Sequence, residues 1–372
     1  MNMQYSELES KRFNMKIHRA SVEEVEPSKI KQSVLGENSD ILILRVPSTS
    51  KGNHSLLQKT GFPFIHADTL VYYECDFEKY NPNGLKNNLT FEQIDSSNKT
   101  FLEHIVPDIF VGYQNHYFSN PLLDKSDIMK GYIEWSQGYC TSDEGKISWY
   151  VKKNENIIGF ATCSFDVSTR ICEGVLYGVL SEHSGGGVYS DIIRFTQSYF
   201  LKNGYRKMLV STQVQNFAVQ KVWTREGFFI KQSYDTYHVL AMLNFSTDFT
   251  RISNFSISEE EVDKFADFSG DYNPIHFDNQ YAIQSGFKSK ITHGMIFQSY
   301  LSKYFGTEYP GHGSIFIGNN NIFLQPLYVD ETYKLSVTPF EIRPNGLHRI
   351  VAIVRDANNQ ICSVSYNELL KK

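Results

Sequence analysis

A polar stretch with spaced phenylalanines, NFSTDFTRISNFSIS (244–258), divides the chain into two parts whose apolar runs follow different rhythms. At 372 residues the chain is too long for one small core, and two or three domains are expected. Upstream of the break, KISWYVKK (146–153), a turn at Asn154–Asn156 and IIGFATCSF (157–165) predict an antiparallel hairpin. A third strand, RICEGVLYGVL (170–180), leads through a glycine run into an amphipathic helix, YSDIIRFTQSYFLKNG (189–204). A strand (206–212), a helix (215–227) and a last strand (228–243) follow. Residues 1–100 carry one strand-like run, DILILRVP (40–47), a glycine-marked apolar stretch (61–77), and a polar segment (79–100) that reads as a loop or solvated hairpin.

Downstream, SEEEVDKFADFSG (258–270) predicts a short helix, with Ser258 and Glu261 at capping-box spacing. A helical run (292–306) and three strand-like runs (314–327, 332–344, 348–369) close the chain. The pattern is α+β, with an N-terminal subdomain (1–100), a central core (101–245) and a separate unit (255–372).

Charge narrows the partners. Lys and Arg number 36 against 41 Asp and Glu, so no broad basic surface is expected and nucleic acid is an unsuited partner. No apolar run approaches the ~20 residues that span a bilayer, so no membrane segment is expected. The first residues, MNMQYSELESKRF, lack the apolar centre of a secretory signal. The five cysteines are scattered and form no C-x-x-C pair, which fits reduced, buried thiols in a cytoplasm and speaks against a zinc site.

The stretch SGDYNPIHFD (269–278) carries an acid and an imidazole five residues apart. Pro274 forbids a helix through it and Gly270 permits a sharp turn. Asp271 and His276 can therefore fold into one pocket and hold a water between them, an arrangement suited to general acid–base catalysis. The same residue types also form plain turns, so composition alone leaves both readings open.

FADFSGDYNPIHFDNQYA followed by SGFKSKITHGMI resembles the MaoC-type (R)-specific enoyl-CoA hydratases over residues 255–372. The resemblance implies a hot-dog fold, in which helix 292–306 is wrapped by an antiparallel sheet. It also implies that Asp271 and His276 form the catalytic dyad, that Asn273 orients one of them, and that the Gly294 N–H polarises a thioester carbonyl. His293 reads as a structural residue. The implied reaction adds water to a short trans-2-enoyl-CoA, crotonyl-CoA favoured, giving an (R)-3-hydroxyacyl-CoA without a metal or redox cofactor. A homodimer through the hot-dog domain is implied as well.

SEHSGGGVYSDI (181–192) sets three glycines between a strand and a helix, where backbone N–H groups can hold phosphate. Such turns are common, and a bland turn is the alternative. The order hairpin, strand, glycine loop, helix, strand, helix, strand resembles the GNAT acyltransferases, and VSTQVQNFAVQKVWTREGFF (210–229) resembles a second signature of that family. Segments 45–77 and 110–138 resemble its sugar-nucleotide amine acetyltransferases. The resemblance implies a GNAT-like mixed sheet in which Gly185, Gly186 and Gly187 hold the CoA pyrophosphate and Asn216 faces the CoA arm. Glu182 and Trp223 depart from the family pattern: an acidic side chain opens the loop, and an indole, which does not titrate, stands where a general-acid Tyr is frequent. His116, Tyr237 and His238 are candidates for substrate contact or proton delivery.

Both resemblances converge on CoA thioesters as substrates. They imply a bifunctional enzyme that hydrates an enoyl-CoA and passes the acyl group to the amine of a nucleotide-linked amino sugar. Alternatives are two separate activities with plain acetyl transfer, a GNAT module that only binds or docks CoA, or a hot-dog half that merely dimerises the chain.

Overall fold

The computed structural model describes residues 1–141 and 145–372. The first part of the chain forms β1 (Gln4–Tyr5), α1 (Glu7–Phe13), β2 (Ile17–Ser21), α2 (Pro27–Glu37), β3 (Ile41–Pro47), α3 (Asn53–Gln58), β4 (Phe64–Asp76) and β5 (Thr90–Gln93). Then come α4 (Leu102–Ile109), α5 (Lys125–Gln137), β6 (Lys146–Lys153), β7 (Asn156–Asp166), β8 (Ile171–Val179), α6 (Val188–Lys202), β9 (Lys207–Gln213), α7 (Phe217–Arg225) and β10 (Phe229–Leu240). The last part holds β11 (Arg251–Ser256), α8 (Glu259–Ser269), α9 (Asn279–Gln284), α10 (Gly294–Thr307), β12 (Ser314–Phe323), β13 (Thr332–Ile342), β14 (Leu347–Arg355) and β15 (Ile361–Lys371).

The expected divide at residue 100 does not appear in the sheet. One ten-stranded sheet runs in the order β1-β2-β3-β10-β4-β9-β8-β7-β6-β5. β10 enters between β3 and β4, antiparallel to both. Its partners are local in space and distant in sequence, so no short-range signal marks them. β3 is buried along most of its length, which suits its β-branched and leucine content to an interior strand. β8 and β9 pair in parallel only from Ile171–Gly174 against Lys207–Val210, after which each strand runs on unpaired with the other. A bulge in the β7–β8 register at Thr162/Cys163 accompanies this parting. The sheet thus opens into a wedge at its centre, with the glycine run at the end of β8.

The C-terminal five-stranded sheet, ordered β11-β13-β14-β15-β12, curls around α10, the arrangement of a hot-dog fold. Ile296, Phe297, Leu301 and Phe305 of α10 are buried against Leu335, Val337, Ile350 and Ala352. Two details differ from expectation. β11 lies inside the polar stretch 244–258, pairing residue by residue with β13, so this unit begins at Arg251. The run 348–369 is two strands, because Asp356 turns the chain by accepting from the Asn358 and Gln360 backbone N–H groups at 2.9 and 2.8 Å.

The two parts share core. Val351, Ile353, Val364 and Tyr366 of the hot-dog sheet belong to the same buried cluster as Phe62, Val239 and Leu240. The Tyr366 hydroxyl donates to the Ala241 carbonyl at 2.7 Å, and Asn320 Nδ2 to the Gly61 carbonyl at 2.7 Å. All five cysteines are free thiols and buried. Among the described residues no helix is long and apolar enough to cross a membrane.

Candidate active sites

Helix α8 stops at Gly270, whose φ of +77° is left-handed and costs glycine little. Ser258 and Glu261 close the capping box at its other end. The chain then runs irregularly into a short 3-10 turn, Pro274–His276. Asn273 caps that turn, its side-chain oxygen accepting from Ile275 N at 3.3 Å. The backbone N–H of Asn273, rather than its amide, holds Asp271 Oδ1 at 3.2 Å. The contact between Asn273 and the acid is thus made by the Asn273 main chain.

His276 is buried, and its Nδ1 donates to the Ile291 carbonyl at 2.8 Å. That bond fixes the tautomer and leaves a lone pair on Nε2. Burial lowers the His276 pKa, the Ile291 carbonyl raises it, His293 lowers it and Asp271 raises it; the balance lies below the ordinary histidine value. His276 is therefore a neutral base near pH 7. His293 stacks on it at 3.7 Å and donates from Nε2 to the Asp271 carbonyl at 2.9 Å. His293 thus does structural work, fixing the acid-bearing loop, while its Nδ1 stays buried without a partner. A carboxylate oxygen of Asp271 and ring nitrogens of His276 and His293 lie within 4.8 Å of one another. The Asp271 side chain is about half exposed, open to a ligand.

Gly294 begins α10 directly behind His293 and is exposed. A Cβ there would stand 3.1 Å from the Phe323 ring, so the approach to this helix N-terminus is kept open by glycine. The exposed apolar side chains of Tyr272, Met295 and Phe323 are part of the same neighbourhood. Among the described residues, the Asp271, His276 and His293 cluster is the one whose donor atoms could converge on a cation. Two of its four ring nitrogens are already hydrogen-bonded to backbone carbonyls, and the rings are stacked, which suits proton transfer better than chelation.

At the wedge, Gly185, Gly186 and Gly187 have φ of +92°, +54° and +87°, and Gly187 caps α6. A Cβ on Gly185 or Gly186 would meet nothing within 4 Å. The turn's backbone bonds run from His183, Ser184 and Val188, so the three glycine N–H groups have no partner among the described residues. Beneath them Asp191 accepts from Lys86 N, Asn87 N and Asn87 Nδ2 at 2.8–2.9 Å, tying the 86–87 segment to α6. Glu182 is exposed in the preceding 3-10 turn. A shallow depression of about 460 Å³ beside α7 is lined by Tyr73, Phe217, Lys221 and Arg225.

Other candidates stand differently. Asn216 is engaged by the protein at both ends of its amide: it accepts from Val219 N at 3.5 Å and donates to Thr212 Oγ1 at 3.0 Å. Trp223 is core, 3% exposed, against Tyr73. His116 and His238 are buried and bond to each other, Nδ1 to Nε2, at 2.8 Å; Asn120 Nδ2 donates to the other His238 nitrogen at 3.1 Å. Burial above all pushes His238 down to about 3 and His116 well below its ordinary value, so the pair is neutral. Tyr237 is buried with its hydroxyl beside His54 Nδ1 at 3.2 Å. These three side chains are sealed in packing. In the sequence nothing distinguishes a buried histidine pair from a substrate-facing one.

Comparison with known proteins matches each region separately. The acetyltransferase (GNAT) family model matches residues 109–228, and the MaoC like domain model matches residues 244–357. An (R)-specific enoyl-CoA hydratase of Rhodospirillum rubrum is 36% identical over 83 residues, 22% of this chain and 58% of that protein. A 3-hydroxybutyryl-CoA dehydratase of Methylorubrum extorquens is 30% identical over 106 residues, 28% of this chain and 68% of that protein. An (R)-specific enoyl-CoA hydratase of Aeromonas caviae is 39% identical over 80 residues, 21% of this chain and 60% of that protein. The chain thus spans a little under two thirds of the two (R)-specific hydratases it matches.

Proposed function

Because the chain belongs to the MaoC-like family through its C-terminal domain and carries a GNAT acetyltransferase domain ahead of it, we propose a bifunctional CoA-thioester enzyme. The hot-dog domain hydrates a short trans-2-enoyl-CoA, crotonyl-CoA by preference, to the (R)-3-hydroxyacyl-CoA. The observation that carries this reading is the convergence of Asp271 and neutral His276 beside the N-terminus of α10. A water held between them loses a proton to His276 Nε2 as its oxygen bonds to C3. The double-bond electrons shift toward the thioester carbonyl, whose developing charge the Gly294 N–H and the helix N-terminus stabilise. The proton then passes to C2, so that one water is consumed and no proton is lost.

The GNAT half takes an acyl group from CoA to the amine of a nucleotide-linked amino sugar. The glycine N–H groups at the wedge, exposed at Gly185 and Gly186 and without a partner among the described residues, support a pyrophosphate seat. Fusion of the two halves raises the local supply of the hydroxyacyl-CoA. Pairing of two chains through the hot-dog edge is part of the proposal, supported by exposed Ile315, Phe316, Ile317 and Phe323 on edge strand β12.

The test is mass spectrometry of full-length protein supplied with crotonyl-CoA and a uridine diphosphate amino sugar. Hydroxybutyryl-amide product is expected. Acetyl transfer from acetyl-CoA with no hydroxybutyryl product would limit the GNAT half to plain acetylation. A docking-only GNAT half is favoured by one observation, the sealed, non-titrating Trp223; absence of transfer from any acyl-CoA would select it.

A further inference from the structure

Three neighbouring strands bring one polar row together on the sheet face that meets Tyr113. Arg45 of β3 stands opposite Thr236 of β10, and Thr236 stands opposite Asp68 of β4. Thr236 is fully buried and Asp68 is 8% exposed. Yet Arg45 Nε has no hydrogen-bond partner, and Asp68 Oδ1 and Thr236 Oγ1 have only each other, at poor geometry. The second Asp68 oxygen receives only a long bond, 3.4 Å, from Gln213 Nε2. Arg45 Nη1 reaches the Tyr72 hydroxyl at 3.3 Å.

A guanidinium nitrogen with no partner, beside a buried acid and hydroxyl that meet only each other, marks a place for a polar ligand to fill. Gln213 is the last residue of β9 and Glu173 of β8 precedes the parting of the two strands, so the row lies beside the open wedge. Half-buried Glu173 adds a second carboxylate near Arg45. Two acids against one guanidinium leave a net negative seat that calls for a cation. Burial raises both carboxyls above their ordinary values, with the neighbouring polar groups offsetting only part of that, which makes them stronger bases.

We propose that the Arg45–Thr236–Asp68 row is the acceptor seat of acyl transfer, taking a primary amine with a neighbouring hydroxyl. The proposal rests on the acyl-transfer reading and adds residues that lie outside the matched GNAT region. Asp68 holds the ammonium and takes one of its protons, and Arg45 Nε donates to the neighbouring oxygen. The freed amine attacks the thioester carbon; the C–N bond forms, the C–S bond breaks, and the leaving CoA thiolate takes the second proton of the amine. Asp68 releases its proton to solvent, so the sum is ammonium plus acyl-CoA giving amide, CoA thiol and a proton.

The test uses full-length wild type, Asp68→Asn and Thr236→Val, with acetyl-CoA binding by calorimetry, steady-state acetylation of glucosamine and uridine diphosphate glucosamine, and melting curves. Asp68→Asn is expected to hold the acetyl-CoA Kd within about twofold, raise the amine KM at least tenfold, and raise Tm by removing a buried charge whose neighbours offset only part of its burial. Thr236→Val carries the same KM test if Asp68→Asn does not fold. An unchanged amine KM overturns the seat, as does acetyl-CoA binding by wild type without acetylation of either amine. Wild type that fails to bind acetyl-CoA overturns the acyl-transfer reading, and the seat with it.

Discussion

Replacing Arg194 by Met tests how the glycine loop is supported. Arg194 forks onto Glu226 through Nε at 2.9 Å and Nη2 at 2.5 Å, and reaches Asp191 through Nη1 at 3.0 Å. The three side chains are 7%, 2% and 0% exposed, so no water replaces the guanidinium. Asp191 keeps its three donors from residues 86 and 87, and the cost falls mainly on Glu226, left as an uncompensated buried charge. Breaking such a pair costs about 3–5 kcal/mol. At roughly 2–4 °C per kcal/mol for a domain of this size, Tm should fall by about 6–20 °C. Circular dichroism melts at pH 7 measure this, and Arg194→Met with Glu226→Met should recover most of the loss.

The pH dependence has a definite sign. Burial pushes the Asp191 carboxyl up, but the bonds from Lys86, Asn87 and Arg194 outweigh it and hold it below the ordinary value. A depressed carboxyl stabilises the fold above its unfolded pKa, ~3.9, and that contribution is lost as pH falls through the folded value. The share of the Arg194→Met deficit that falls on Asp191 should therefore shrink in acid. A single variant that melts within a degree of wild type, or a double variant no better than the single, would refute this reasoning.

Further outcomes follow from the proposed hydratase site and the glycine loop. Asp271→Asn and His276→Gln should each slow crotonyl-CoA hydration by about 10²–10⁴ with little change in Tm; an active Asp271→Asn removes the carboxylate from the chemistry. Because the His276 pKa is lowered, the imidazole stays neutral below the usual histidine value, and hydration rate should hold as pH falls through ~6.5, then drop at lower pH. Gly294→Ala, which sets a methyl 3.1 Å from Phe323, should raise the enoyl-CoA KM severalfold, read from initial rates across substrate concentration. Gly186→Val forces a β-branched residue to a φ of +54° and should weaken acetyl-CoA binding, by calorimetry, while leaving hydration intact.

Much of this architecture was legible because its signals are local. The capping box at Ser258 and Glu261, the helix stop at Gly270 and the break at Pro274 are written within a few residues of where they act. So are the hairpin of β6 and β7 and the glycine entry to α6. The insertion of β10 between β3 and β4 was not legible, since strand neighbours far apart in sequence leave no short-range mark. For the same reason β11 hid in a polar stretch: it is an edge strand, mostly exposed, and needs no apolar alternation. In the site, the spacing of Asp271 and His276 left a plain turn open, and the resemblance of the surrounding motif to the MaoC-type hydratases singled the pair out. The sealing of His116, Tyr237 and His238 depends on packing from remote segments. The row of Arg45, Thr236 and Asp68 joins three strands that no sequence window contains.

The shared apolar cluster behind the hot-dog sheet bears on how the two domains can be inherited. Severing the gene in the 244–258 stretch would not liberate a pair of independent proteins. It would strip Tyr366 from Ala241 and bare Val351, Ile353 and Val364 on one fragment and Phe62 on the other. Each orphan would precipitate or demand its missing half, so the union of the two domains is written into their folding and not only into their reading frame.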